Sequence, residues 1–217
     1  MINETIVLAG TAASIGFVHT VLGPDHYLPF VAMSKARGWN AARTAIVTVL
    51  CGIGHVISSI ILGLSGVFLG IAIFKLEALD SVRGGLAGWL LIAFGFVYLL
   101  WGIRRAIRGR PHAHRHVHAG IAPDSLTPWI LFMIFVLGPC EPLFPLIMYP
   151  AAKLSVSAVA VVALTFGITT IATMLACVMG CYYGISRIRF PQTEKYAHAL
   201  AGFTILLCGG AIKFLGL

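Results

Sequence analysis

A chain of 217 residues in which 59% are hydrophobic and only 10% charged, with a mean hydropathy of +0.96, carries too little polar surface for a soluble domain. Its net charge of +8 calls for no nucleic acid, because the basic residues cluster in a pattern that membrane topology explains. The five cysteines, Cys51, Cys140, Cys177, Cys181 and Cys208, all lie in apolar runs without a CxxC pair, which excludes a disulfide framework of the secreted kind.

In chain order, apolar runs long enough to cross a hydrocarbon core of roughly 30 Å lie near residues 4–33, 43–74, 84–103, 126–150, 154–186 and 196–217. They predict an all-α polytopic membrane protein with six transmembrane helices. Several runs exceed the roughly 20 residues of a straight span, and each overlong run has Gly or Pro near its middle, so bent, broken or re-entrant helices are expected there. The first run follows only Met1-Ile2-Asn3-Glu4 and lacks the basic start and small-residue cleavage site of a secretory signal, so it is expected to be retained. Lys35, Arg37 and Arg43 follow the first run, Arg104, Arg105, Arg108, Arg110 and Arg115 the third, and Arg187, Arg189 and Lys195 the fifth. Only Lys75, Arg83, Lys153 and Lys213 fall elsewhere. The positive-inside rule then places loops one, three and five in the cytoplasm and both termini outside, in the inner membrane of a bacterial or archaeal cell.

The first and fourth runs echo each other. Val21-Leu22-Gly23-Pro24-Asp25-His26-Tyr27-Leu28-Pro29-Phe30 is matched by Val136-Leu137-Gly138-Pro139-Cys140-Glu141-Pro142-Leu143-Phe144-Pro145. Each is followed by a Gly-interrupted run, Gly52-Ile53-Gly54-His55-Val56-Ile57-Ser58-Ser59 in one case and Phe166-Gly167-Ile168-Thr169-Thr170 in the other. The expected organisation is a first three-helix repeat over 1–103, a His/Arg-rich cytoplasmic loop over 104–125, and a second three-helix repeat over 126–217. Three crossings per unit make the repeats inverted, with helices 1 and 4 broken and facing each other near the bilayer midplane.

Ionisable side chains at such breaks are costly and usually functional. Asp25 and His26 would meet Cys140 and Glu141 there, with His19 and His55 able to reach the same cavity. His, carboxylate and thiolate together form a ligand field for a divalent transition metal rather than for magnesium or calcium. His19 and His26, seven residues apart, share a face of an ideal helix, with Asp25 about 100° away from His26. Pro24 cannot donate to the Thr20 carbonyl and tends to kink the helix, swinging the Asp-His pair inward. Gly23, Pro24, Gly138, Pro139, Pro142 and Pro145 are read as shaping or gating the site. The hydroxyls of Ser58, Ser59, Thr165, Thr169, Thr170 and Thr173 read mainly as helix-packing groups, Thr169 and Thr170 being the candidates for lining a path. The loop histidines His112, His114, His116 and His118, at every second position, form an accessory tract able to collect metal on the cytoplasmic face.

His19, the Asp25-His26 pair and Gly54-His55 resemble the signature of the nickel/cobalt transporter superfamily, in which a His precedes Asp-His and a Gly-His pair follows in the next helix. The resemblance covers the first two helices best, about a quarter of the chain. It implies a permease that moves nickel or cobalt, with these side chains binding the ion during translocation. Gly138-Pro139-Cys140 with Pro142 looks like the broken-helix motif of the cytochrome c biogenesis transmembrane proteins, a family that resembles this chain in its six helices and two inverted halves and that passes reducing equivalents by thiol-disulfide exchange. That cycle needs a cysteine in each half, and here the position equivalent to Cys140 is Asp25, or His26 on a one-residue shift.

The expected function is thus transport of a divalent transition metal by alternating access, with His19, Asp25, His26, His55, Cys140 and Glu141 as the metal site; the alternative is a thiol-disulfide electron carrier. Binding of the metal requires deprotonated ligands and so couples naturally to protons. An intramembrane hydrolase lacks a His-Glu-x-x-His motif, and export of a sulfur oxyanion is disfavoured by the expected absence of an intramembrane Arg or Lys. No enzyme activity, no permanently bound cofactor and no nucleic-acid partner are expected. The partners are the metal substrate and the bilayer, with homo-oligomerisation left open.

Overall fold

The computed structural model describes residues 2–108, 126–153, 155–186 and 194–215. The described chain is helical throughout and contains no strand. In order it forms α1 (Ile2–Leu22), a 3-10 turn (Pro24–His26), α2 (Leu28–Arg37), α3 (Ala41–Phe68), α4 (Ile73–Ile107), α5 (Leu126–Val136), α6 (Leu143–Ala152), α7 (Val156–Ser186) and α8 (Ala197–Gly210), the last continued by a π-turn (Ala211–Leu215). Five helices are long and apolar enough to cross a membrane, and α5 and α6 are shorter apolar helices.

The side-chain distribution is that of a multi-pass membrane protein. Thr20, His26, Thr44, Thr48, His55, Ser59, Asp80, Thr127, Thr170 and Thr173 are buried, while Ile6, Val7, Phe17, Phe68, Phe74, Val82, Phe96, Val97 and Ile168 face outward. Lipid accepts the apolar exterior but satisfies no backbone group, so the chain must close its hydrogen bonds internally as helices. Hydroxyls within the helices do the same locally: Thr20 donates to the Gly16 carbonyl at 2.7 Å and Thr48 to the Thr44 carbonyl at 2.8 Å. Asn40 caps α3 by accepting from the Arg43 N–H, and Gly38, at φ 62°, ends α2 in the left-handed conformation.

The overlong runs divide according to proline. The first run separates into α1 and α2 at Gly23-Pro24, and the fourth into α5 and α6 at Gly138-Pro139. The second and fifth runs, in which only Gly interrupts the apolar sequence, stay continuous as α3 and α7, without the breaks that were among the expected alternatives. Glycine keeps its N–H and leaves the helix ladder intact, whereas proline removes a donor and pushes the preceding residue out of the α region; Gly23 accordingly adopts φ −89°, ψ 93°. The third run is also longer than expected, beginning at Ile73 rather than near 84, so that Asp80 and Arg83 belong to α4.

The broken pairs run in opposite directions. Lys153, just after α6, pairs with Glu4 at the start of α1 at 2.9 Å, while Arg37 at the end of α2 donates to Thr127 at the start of α5 at 2.8 Å. One packing axis is formed by α4 and α8, which cross so closely that a Cβ at Gly95 would overlap the main chain of Leu206, one at Gly102 that of Ala199, and one at Gly202 that of Leu99. Gly88, Gly95 and Gly102 recur every seven residues on α4 opposite Gly202 and Gly209 on α8, giving a small-residue seam that brings two backbones into contact. Gly95→Val is expected to force the pair apart and cost about 3 kcal/mol, read as a lower unfolding midpoint in detergent. Gly10→Ala, whose new methyl group would meet nothing within 4 Å, should leave the midpoint unchanged.

Candidate metal centre

The site grows out of the two proline breaks. α1 closes with the Gly23 N–H on the His19 carbonyl at 3.0 Å, and Pro24 has no N–H to offer the Thr20 carbonyl. The chain then turns through Pro24–His26, and the lack of a side chain at Gly23 is required: a Cβ there would lie 2.5 Å from His26 Nδ1 and 2.9 Å from Asp25 Oδ1. At the second break Pro139 removes the donor that a continuous helix would send to the Phe135 carbonyl. That oxygen receives the Gly138 N–H at 3.0 Å and also the Nδ1–H of His55, reaching across from α3 at 3.2 Å. Gly138 leaves room for the ring, since a Cβ there would stand 3.0 Å from His55 Nδ1.

Three imidazoles meet in this space. His26 packs edge-on between His19, at 4.8 Å between ring centres, and His55, at 5.2 Å. Candidate donor atoms of His19, His55 and Cys140 all lie within 4.8 Å of one another. His26, His55 and Cys140 are buried, at 3%, 2% and 0% exposure. A tetrahedral ion bound at 2.0–2.3 Å wants donors about 3.5 Å apart, so the set is close to coordinating distance.

The hydrogen bonds assign the free donors. His26 Nδ1 faces two acceptors, the Gly23 carbonyl at 3.2 Å and Asp25 Oδ1 at 3.3 Å, and His55 Nδ1 faces the Phe135 carbonyl. Carbonyl and carboxylate oxygens only accept, so in both rings Nδ1 carries the hydrogen and Nε2 presents its lone pair. Nε2 of His19, His26 and His55 is in each case buried without a hydrogen-bond partner. Buried polar atoms are rarely left so, and a ring held at one nitrogen with the other free is the arrangement that metal-binding histidines use. A cavity of about 20 Å³ lined by Asp25, His26, His55, Phe135, Gly138 and Pro139 adjoins them, room for a single water or ion. On the other side of the cluster, Ser14, Ile15, Val18, His19 and Pro142 line an open groove.

Not every expected ligand converges: the donor group within 4.8 Å holds His19, His55 and Cys140, and His26 packs beside it without joining it. Asp25 binds the back of His26 and is placed to orient that ring rather than to coordinate. Glu141 is exposed and lies outside the donor cluster, because the turn after Pro139 directs Cys140 inward and its neighbour outward. Pro142 and Pro145 shape the start of α6, Pro142 immediately before its first residue. Thr170 is buried, with its hydroxyl unpartnered and facing Gly16 of α1, whereas Thr169 is half-buried. His112, His114, His116 and His118 fall outside the described residues.

Two residues of the site escaped the sequence reading. Asp80, fully buried on α4, accepts the Cys140 N–H at 2.9 Å and pairs with Arg83 at 2.7 Å. Arg83, expected outside the apolar spans, donates to the Gly138 carbonyl at 2.9 Å and to Ser59 Oγ at 2.6 Å. The available signal was their i, i+3 spacing of opposite charges at the edge of an apolar run. A part-buried arginine within an apolar helix is therefore present, and the argument against oxyanion export from its absence does not hold; its terminal nitrogens donate to protein acceptors. The cysteines are all thiols, and Cys51 packs in a core cluster with Met33 and Leu131, separate from the one that holds Cys140 with Leu143 and Phe166.

No curated protein and no solved structure matches the chain. The family model of the cytochrome c biogenesis protein transmembrane region matches residues 28–211, from α2 to the end of α8, a stretch that includes His55 and Cys140 and begins after His19, Asp25 and His26. The match sides with the second of the two resemblances read from the sequence and not with the nickel/cobalt superfamily. The chain belongs to the cytochrome c biogenesis transmembrane family.

Proposed function

We propose that this member of the family is a transition-metal carrier in which a metal site stands where a thiol-disulfide pair would be expected. The observation that carries the reading is the grouping of His19, His55 and Cys140 donor atoms within 4.8 Å of one another, with the His26 ring packed between the two imidazoles and Nε2 of all three rings buried without a partner. His19, His55 and Cys140 take the ion, His26 completes the set, and Asp25 holds His26 in the binding tautomer. Three imidazoles and one thiolate suit borderline ions such as nickel, cobalt and zinc; nickel and cobalt are preferred because of the His19, Asp25-His26 and Gly54-His55 pattern. The protein is not an enzyme on this reading, and the metal is its substrate.

Transport is supported by an architecture of two inverted units, α1–α4 and α5–α8. The antiparallel course of the broken pairs fits it, and so do the main helix contacts, which interchange when the units are exchanged: α1 packs on α7 as α5 packs on α3, α2 touches α8 as α6 touches α4, and α3–α7 and α4–α8 map onto themselves. In this arrangement each broken pair counts as one crossing, giving six, with the breaks near the midplane. The basic ends of α2 and α4 then face the cytoplasm and the termini the outside.

Family membership favours a second reading, a thiol-disulfide electron carrier using Cys140. It requires a partner thiol, and the equivalent position in the first break holds Asp25 or His26. Metal uptake into proteoliposomes across nickel, cobalt, zinc and iron(II) separates the two. Uptake that falls to background in His26→Ala and Cys140→Ser supports the carrier, and no metal flux in the native protein together with Cys140-dependent thiol transfer establishes the redox reading. In the carrier, Asp25→Asn should weaken cobalt binding about 10- to 100-fold without abolishing it, as measured by spectroscopic titration. Cys140 must lose its proton to bind as thiolate, so at least one proton should be released per ion; a pH-stat titration should show a smaller release in Cys140→Ser.

A further inference from the structure

We propose that the Asp80–Arg83 ion pair of α4 is a positioning device that seats Cys140 in the site and holds the second break closed around it. This rests on Cys140 being the working thiol, and it deepens the reading above by assigning a role to two residues that touch neither the metal nor each other's half of the donor set.

The pair meets the peptide groups on both sides of Pro139. Asp80 accepts the Cys140 N–H at 2.9 Å, and Arg83 donates to the Gly138 carbonyl at 2.9 Å. These groups belong to the stretch where α5 has ended and α6 has not begun, so no helix ladder satisfies them. Gly84, the next residue of α4, allows the approach: a Cβ there would lie 2.8 Å from the Pro139 ring. Arg83 also reaches Ser59 Oγ at 2.6 Å and Ser58 Oγ at 3.4 Å, and both hydroxyls donate to the carbonyl of His55, at 3.1 and 2.9 Å. One guanidinium thus braces the turn that carries Cys140 against the helix turn that carries His55.

Both Asp80 oxygens are engaged, one accepting the Cys140 N–H and the other ion-paired with the Arg83 guanidinium at 2.7 Å. A buried pair of this kind gains little net stability over apolar side chains, so its presence calls for another role, and the groups it holds supply one. The first break is organised differently: the contacts around His26 Nδ1 come from its own turn, Gly23 and Asp25. Among the described contacts, the second break is the one secured by a charged pair from another helix.

The test uses full-length protein in native membranes with Cys51, Cys177, Cys181 and Cys208 replaced by alanine, so that Cys140 is the sole thiol. In metal-free protein, Asp80→Ala is expected to speed alkylation of Cys140 by a small permeant maleimide about tenfold or more, with Asp80→Asn, which keeps an acceptor for the Cys140 N–H, falling between it and the parent. After loading with cobalt(II), Asp80→Ala should keep the ligand-field absorption from the imidazoles and lose the thiolate-to-metal charge-transfer band, which a merely structural defect would not separate. A parent-like alkylation rate and charge-transfer band in Asp80→Ala overturn the proposal. If that variant shows no cooperative unfolding transition, a parent-like rate in Asp80→Asn overturns it instead. Absence of any cobalt signal in the parent removes the metal reading alone, since the alkylation rates still report on the clamp.

Discussion

A peptide group inside a bilayer must find its hydrogen-bond partner within the protein, and proline makes that impossible for its own helix. Everything at the candidate site follows from two such failures. At Gly23-Pro24 and Gly138-Pro139 the helix ladder stops, and main-chain carbonyls become available to side chains. His26 takes the Gly23 carbonyl and His55 takes that of Phe135, and in doing so each ring commits Nδ1 and leaves a buried Nε2 without a partner. The breaks are therefore more than hinges. They determine the tautomer and the aim of the imidazoles, and Cys140 enters the cluster because it is the first residue past the second proline.

The chemistry available there is decided by what surrounds a single thiol. In a thiol-disulfide cycle Cys140 would need another sulfur within bonding reach, and the side chains that occupy that position are imidazoles. Membership of the cytochrome c biogenesis transmembrane family and a nitrogen-rich site are compatible if the scaffold is separable from the groups grafted onto it. The inverted pair of broken helices is the scaffold. A sulfur in both breaks makes it an electron carrier; in the proposed carrier, sulfur in one and imidazole in the other make it a ligand set with an open demand for an ion.

Much of this could be read from the chain because membrane burial leaves clear marks. His19, His26, His55 and Cys140 stood out as polar groups in apolar runs, and the two Gly-Pro pairs located the breaks. Asp25 and Glu141 were legible as charges but not as roles: a turn of one residue sends Cys140 inward and Glu141 outward, and the curl after Pro24 puts the Asp25 carboxylate behind His26. Neither orientation follows from spacing on an ideal helix, since the helix is absent at both places. Asp80 and Arg83 were missed because hydropathy places them at the margin of a run, while α4 extends through that margin, burying Asp80 and part-burying Arg83. The seam of Gly88, Gly95, Gly102, Gly202 and Gly209 was also passed over, although a seven-residue recurrence of glycine in two runs is itself a signal of close helix contact.

That seam explains how a site built from broken helices can be held in register. α4 and α8 touch backbone to backbone, which leaves little freedom for one to slide on the other. α4 carries Asp80 and Arg83 to the second break, and α8 packs against α2 and the turn that holds His26. Each break is thus referred to one member of the same rigid pair. In the proposed carrier, the two-fold exchange of α1–α4 with α5–α8 lets the breaks trade places relative to this axis while the donor atoms stay together. The charged pair on α4 makes the exchange unequal: one break is tied by Asp80 and Arg83 from another helix, and the other by the His26 ring and the carboxylate of its own turn. An asymmetry of that kind gives the two access states different energies in the proposed carrier, and an ion shifts the balance between them only by its difference in affinity for the two.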